Sequence, residues 1–208
     1  IDGFGRTLQS KQKVEPGNTI KRLPDNSVEL DVSGNPLQEW SDERWLVSGH
    51  VVYNNKQQPV RQYEPFFSSI IEFENDEVLK NYGVAVQLHY DAVGRELRTD
   101  FPNGTFTEVK ITPWEIQSFD QNDTVDRSTY KAAREIQPPT NPERIALERA
   151  LAHKDTPVII KLDPLGREIA RVQVNNDGTV RRVENRYDIN GNISGIIDAR
   201  NLTAFIYK

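Results

Sequence analysis

The chain has no cysteine and no methionine in its 208 residues. Without Cys there are no disulfide staples, no thiolate nucleophile and no Cys-ligated zinc. Histidine is nearly as scarce. His50, His89 and His153 are scattered, with no His-x-x-x-His or His-Glu pairing of the kind that holds zinc. There is no Gly-x-Ser-x-Gly elbow and no glycine-rich phosphate loop, so neither a metal nor a cofactor is expected and no enzymatic activity is anticipated. No apolar run is long enough to span a membrane. Positive charge is not in excess: the formal charge of −5 and a pI near 5.3 argue against nonspecific nucleic-acid binding. Only 36% of residues are hydrophobic, which is low for a compact globule and suits thin sheets with one wet face. The chain opens with Ile and shows no signal-peptide pattern, which points to a piece of a longer protein.

What is present is a recurring short pattern. Tyr90-Asp91-Ala92-Val93-Gly94-Arg95 returns as Leu162-Asp163-Pro164-Leu165-Gly166-Arg167 and as Tyr187-Asp188-Ile189-Asn190-Gly191-Asn192. It also opens the chain around Asp2, Gly5 and Arg6. An apolar or aromatic residue precedes Asp, and Gly follows three residues later. Each position has a physical task. The aromatic residue ends a strand and packs its ring. Asp starts a turn, its carboxylate accepting backbone N–H groups further on. Gly supplies a positive φ. Arg starts the next strand, with its head free to meet a carboxylate. A second signal alternates with the first: Pro102-Asn103-Gly104 and Asn175-Asn176-Asp177-Gly178 stand between β-favouring runs, as hairpin turns do. The repeating unit is therefore strand, Tyr-Asp-x-x-Gly turn, strand, Asn/Asp-Gly turn. Repeated local patterns of this kind indicate a repeat architecture, which builds surfaces and containers.

Three stretches follow along the chain. Residues 1–126 read as repeat-like β structure, with a polar loop insertion near 15–43 that holds one strand at Ser27–Val32. Trp45–Tyr53 and Pro59–Tyr63 read as a hairpin through Asn54-Asn55. Val84, Val86, Leu88 and Tyr90 alternate with Ala85, Gln87 and His89, the mark of a half-buried strand. Residues 127–156 read as a helical insertion. Asn141-Pro142-Glu143 is a helix start, and one helix is expected over 142–153 with Ala146, Leu147, Ala150 and Leu151 as its apolar stripe. Residues 157–208 read as Tyr-Asp-repeat hairpins. The expected fold class is mainly β, built of antiparallel hairpin repeats with one inserted helix. Strand edges near Ile1 and after Asp198 are expected to be open and to favour association.

Other features have plainer readings. Asp120-Gln121-Asn122-Asp123 has part of a calcium-loop pattern but lacks its Gly and final Glu, so local turns are expected. Asp163-Pro164-Leu165-Gly166 reads as an ordinary repeat turn. Trp40, Trp45, Trp114, Tyr63, Phe66 and Phe67 read as strand-face packing, with a sugar- or protein-binding platform as the alternative.

The chain also resembles a known family. Asp2-Gly3-Phe4-Gly5-Arg6, Tyr53-Asn54-Asn55-Lys56, Gln62-Tyr63-Glu64-Pro65-Phe66-Phe67-Ser68, His89-Tyr90-Asp91, Phe101-Pro102-Asn103-Gly104-Thr105, Pro113-Trp114-Glu115, Asp120-Gln121-Asn122-Asp123-Thr124-Val125 and Asp198-Ala199-Arg200-Asn201 carry the likeness. They resemble Rhs/YD-repeat proteins, and more closely the middle region of the B component of bacterial insecticidal Tc toxins. Two sites depart from the pattern: Gln57 stands where Gly is expected, and Asn201-Leu202 lacks its Gly. The resemblance implies a secreted toxin-complex component and an Rhs-type shell, with this chain as a structural wall segment around a toxic polypeptide. Its implied partners are the remaining repeats, other toxin-complex components and the enclosed toxin. The alternative is a secreted adhesive β-repeat module for carbohydrate or a host receptor. A hydrolase using paired carboxylates is the weakest reading.

Overall fold

In the computed structural model of the chain, the described residues are 1–74 and 84–207. Residues 75–83 of the repeat-like β stretch expected over 1–126 therefore lie outside the described residues. Among the described residues, 42% are in β structure against two α-helices, and the strand pairing is antiparallel. Two compact units are present, Ile1–Leu88 and His89–Lys208.

The first unit holds β1 (Ser10–Val14), β2 (Gly17–Ile20), β3 (Gln38–Ser41), β4 (Arg44–Ser48), β5 (Val51–Tyr53), β6 (Pro59–Tyr63) and β7 (Phe66–Ser68), and β8 (Ala85–Tyr90) begins in it. Strands β1, β4 and β7 form one sheet with β4 central. Val47 on β4 is fully buried, between Lys11 and Phe66 in the register. The hairpin expected through Asn54 is β5 and β6, while Arg44–Ser48 leaves it and joins β1.

The segment near 15–43 is a correction: it is not a loop. Strands β2 and β3 pair, and the bridges Arg22↔Val28 and Leu30↔Pro36 continue the structure inward. At the tip, Lys21 N–H donates to the Leu37 carbonyl, Leu37 N–H to Glu29, and Glu29 N–H to Lys21. This ring of three bonds satisfies polar backbone without a long strand. Polar composition hid it, because short strands joined by tight turns carry few apolar residues.

The second unit is a ladder in chain order: β9 (Glu96–Asp100), β10 (Phe106–Ile111), β11 (Glu115–Phe119), β12 (Val158–Leu162), β13 (Glu168–Val174), β14 (Val180–Tyr187), β15 (Ile193–Ile197) and β16 (Thr203–Ile206). Each pairs with the next, and the sheet does not close. The pleat gives β9–β12 two unlike faces. One gathers Leu97, Thr99, Thr107, Val109, Ile111, Ile116, Ser118, Val158 and Ile160, and has no charge. The other carries Arg98, Asp100, Glu108, Lys110, Glu115 and Lys161. On that face Phe106 and Phe119 are buried beneath cations. The Arg98 guanidinium stands 3.7 Å from the Phe106 ring centre and Lys110 Nζ 4.7 Å from that of Phe119.

Between β11 and β12 lie a short 3₁₀ turn, Val125–Arg127, and two helices, α1 (Thr129–Glu135) and α2 (Pro142–Leu151). Only the second was expected. Ser128 caps α1 by accepting the Lys131 N–H, and Asn141 caps α2 by accepting that of Glu143. The first helix has no buried residue, so it lacks the apolar period that betrays a helix in sequence. The expected stripe on α2 narrows to Leu147, which is fully buried, while Ala146 is exposed. An ion pair and a hydrogen bond join the helices: Arg134 meets Glu143 at 2.5 Å, and Arg144 Nη1 donates to the Glu135 backbone carbonyl at 2.6 Å.

Candidate functional site

Among the described residues, ten turns share one backbone closure. The N–H of position 1 donates to the carbonyl of position 5, and the N–H of position 4 returns to the carbonyl of position 1. They start at Asp2, Leu23, Asp31, Asn54, Asp91, Phe101, Asp163, Asn175, Asp188 and Asp198. Position 4 has positive φ in every copy, from 63° at Gln57 and Asn201 to 93° at Gly94. The two departures from the sequence pattern are therefore departures of residue, not of conformation.

Two side-chain chemistries close this one turn. In seven copies the residue at position 1 is Asp or Asn, and its Oδ1 accepts the N–H groups of positions 3 and 5. In the other three the acceptor sits at position 3, as Asp25, Asn103 or Asp177. It takes the N–H and the hydroxyl of a Ser or Thr at position 5. The copies at Leu23 and Asp31 escaped the sequence reading, although Leu30-Asp31-Val32-Ser33-Gly34 carries the full pattern. They lie in the polar stretch read as loop.

The residue at position 5 completes the site. Arg6 Nε donates to Asp2 Oδ2 at 2.6 Å, Arg95 to Asp91 at 2.7 Å and Arg167 to Asp163 at 2.7 Å. At the Asp188 turn, Asn192 takes this place at 3.2 Å. These contacts hold the carboxylates below the ordinary range. The Arg6 side-chain bond dominates at Asp2, and backbone donors dominate at Asp91, Asp163 and Asp188. A carboxylate with both oxygens committed this way is an anchor rather than a base.

At two turns the tyrosine before position 1 receives an arginine from another turn. Arg6 stacks over the Tyr53 ring at 3.9 Å, and Arg167 over that of Tyr187 at 4.4 Å. Tyr187 also donates its hydroxyl to the Glu168 carbonyl at 2.8 Å. Beyond four of these turns the outgoing strand carries one unpaired extra residue: Val60, Ile169, Ser194 and Ala204. Such bulges bend a strand and strengthen its twist. Antiparallel order puts the Asp91, Asp163 and Asp188 turns at one end of the second unit's ladder. The Asn103 and Asp177 turns lie at the other end, with the helices. There the Gly104 carbonyl accepts Thr129 Oγ1 and the Tyr130 N–H.

Other sequence candidates resolve as follows. Asp120 Oδ1 accepts the N–H groups of Asn122 and Asp123. Buried Asp123 bonds Thr156 N–H and Oγ1, both at 2.8 Å, and ties the two ends of the insertion together. Among the described residues no group of three His, Cys, Asp or Glu side chains is placed to hold a metal. The six aromatics are divided between the two units. Trp45 lies in β4 with its indole nitrogen buried, Trp40 is exposed on β3, and Trp114 belongs to the second unit. Tyr63, Phe66 and Phe67 do converge, on a cavity of about 520 Å³ in the first unit. Sequence reasoning missed a buried ion cluster, in which Glu74 receives Lys11 Nζ at 3.0 Å and also Arg22. Its residues are too far apart in the chain to signal one another.

No family model and no curated protein matches the chain. Solved structures do. The chain is similar to the TcdB2–TccC3–Cdc42 complex (26% identity, TM-score 0.73) and to TcdB2–TccC3 (26%, 0.71). It is similar also to the Photorhabdus luminescens Tc holotoxin pore (27%, 0.69). Each likeness covers 96% of this chain and only 9% of the other, so the chain spans a small part of those proteins. With the repeated turns and the antiparallel ladder, these likenesses show that the chain has the fold of a small part of those Tc toxin structures, consistent with an Rhs-type fragment resembling the Tc toxin B component.

Proposed function

We propose that the chain is a structural wall segment of an Rhs-repeat shell that encapsulates a toxic polypeptide in a secreted bacterial toxin complex. The observation that carries this reading is the ladder. Eight strands follow one another in chain order, joined largely by one turn type, and the last ends on an exposed strand. A hairpin cannot bury its own face, and lateral addition of the next one extends a sheet without limit of length. The repeat-turn residues Asp2, Gly5, Asp91, Gly94, Arg95, Asp163, Gly166, Arg167, Asp188 and Gly191, with Tyr90 and Tyr187 before the turns, then serve structure rather than catalysis. The two faces of β9–β12 suit a wall: a charged face for water and a charge-free face for an enclosed chain. The remaining repeats and the other toxin-complex components are its partners in this reading.

Limited proteolysis of the full-length protein with its cargo-bearing component tests it. The cargo stays intact in the wild type and is cut when Gly104→Val disrupts the wall. Cargo degraded equally fast in both would overturn the proposal.

A further inference from the structure

The cavity in the first unit is built around a fixed arginine. Its apolar wall is Ile20, Tyr63, Phe66, Phe67 and Val84, and Arg44 is its one arginine or lysine. The Arg44 guanidinium is held on three sides. Its carbon lies 3.4 Å from the centre of the Phe67 ring. Its Nε donates to the Asn18 carbonyl at 3.1 Å. Its flank rests on Gly17, where an added Cβ would come within 2.8 Å of Nη1. A strand glycine at this position leaves the space that the guanidinium occupies. Arg44 nonetheless forms no ion pair with any described residue, unlike Arg6, Arg22, Arg95, Arg98 and Arg167. Thr19, also on the wall, is buried with its hydroxyl unpartnered among the described residues.

A stacked, pre-oriented guanidinium with its outer N–H fork uncommitted is suited to bidentate binding of an oxyanion. The cavity volume lies within the range of small-molecule sites, which combine apolar walls with a few fixed polar groups. We propose that this cavity binds a small organic anion, with an aromatic or branched apolar body against Phe66, Tyr63 and Ile20 and one carboxylate or sulfonate on Arg44. The wall function does not require this site, and the site does not rest on it.

Paired fluorescent probes test the proposal in the full-length protein. Anilinonaphthalene sulfonate is the anion, and N-phenylnaphthylamine is its neutral counterpart. Both are titrated into the wild type and the Arg44→Gln variant. The anion binds the wild type more tightly than the neutral probe. Arg44→Gln weakens it about tenfold or more, the loss of a charge-assisted pair. The neutral probe binds both proteins alike, which shows that the cavity persists in the variant. Equal losses for both probes, an anion affinity indifferent to Arg44→Gln, or no binding of either probe to the wild type would each overturn the proposal.

Discussion

Arg167 does two things at once: its Nε bonds Asp163 in its own turn, and its guanidinium covers the ring of Tyr187 at 4.4 Å, ahead of the Asp188 turn. Successive same-side turns are thereby coupled through one side chain. A double-mutant cycle of Arg167→Ala and Tyr187→Ala should give a coupling of about 0.5–1 kcal/mol in urea denaturation. Strict additivity would show that the stacking carries no energy.

Glycine substitutions should separate strain from collision. Gly166 has φ +77° and open space where a Cβ would stand, so Gly166→Ala should cost about 1–2 kcal/mol from backbone strain alone. At Gly104 the same φ region combines with a Cβ only 2.5 Å from Thr129 Oγ1 and 3.0 Å from the Tyr130 nitrogen. Gly104→Ala should therefore be the more damaging substitution, and thermal melts of the two variants give the order.

The reverse change should stabilise. Gln57 holds φ 63° with a long side chain, in a turn whose other copies mostly use Gly. Gln57→Gly should gain up to about 1 kcal/mol, the strain relieved less the added freedom of the unfolded chain. Asn201 sits at the same φ but is a residue type that tolerates it, so Asn201→Gly should gain less. Chemical denaturation of both variants checks the ranking.

Acid should loosen the turns together. Asp2, Asp31, Asp91, Asp163, Asp188 and Asp198 all titrate below the ordinary carboxylate range when folded. A depressed folded pKa contributes stability above the unfolded value, near 3.9, and that contribution is lost as pH falls through the folded value. Stability should be flat from neutral pH to about 5 and fall below about 4. Asp188→Asn should keep the turn, as Asn54 does with both its Oδ1 bonds, and should shed part of the acid dependence. Urea midpoints across the pH range measure this.

Much of the repeat was legible because its turn is local. Asp at position 1, Gly at position 4 and Arg at position 5 meet within five residues, so their spacing alone specifies the bonds at Asp91 and Asp163. The Asn141-Pro142 helix start was local for the same reason. Helix α1 was not legible, since Ser128 is an ordinary residue until its hydroxyl meets Lys131 N–H and the helix has no apolar side to announce it.

Sequence by itself determined the turn chemistry, the antiparallel hairpins and the absence of thiol chemistry, all of which follow from residues close in the chain or from composition. Tertiary structure alone decided three other things. It stacked Arg6 on Tyr53, buried Glu74 between Lys11 and Arg22, and set Arg44 against Phe67 at the cavity. These partners lie 23 to 63 residues apart. No local periodicity encodes such pairs, because strand order and register, not spacing along the chain, bring them within reach.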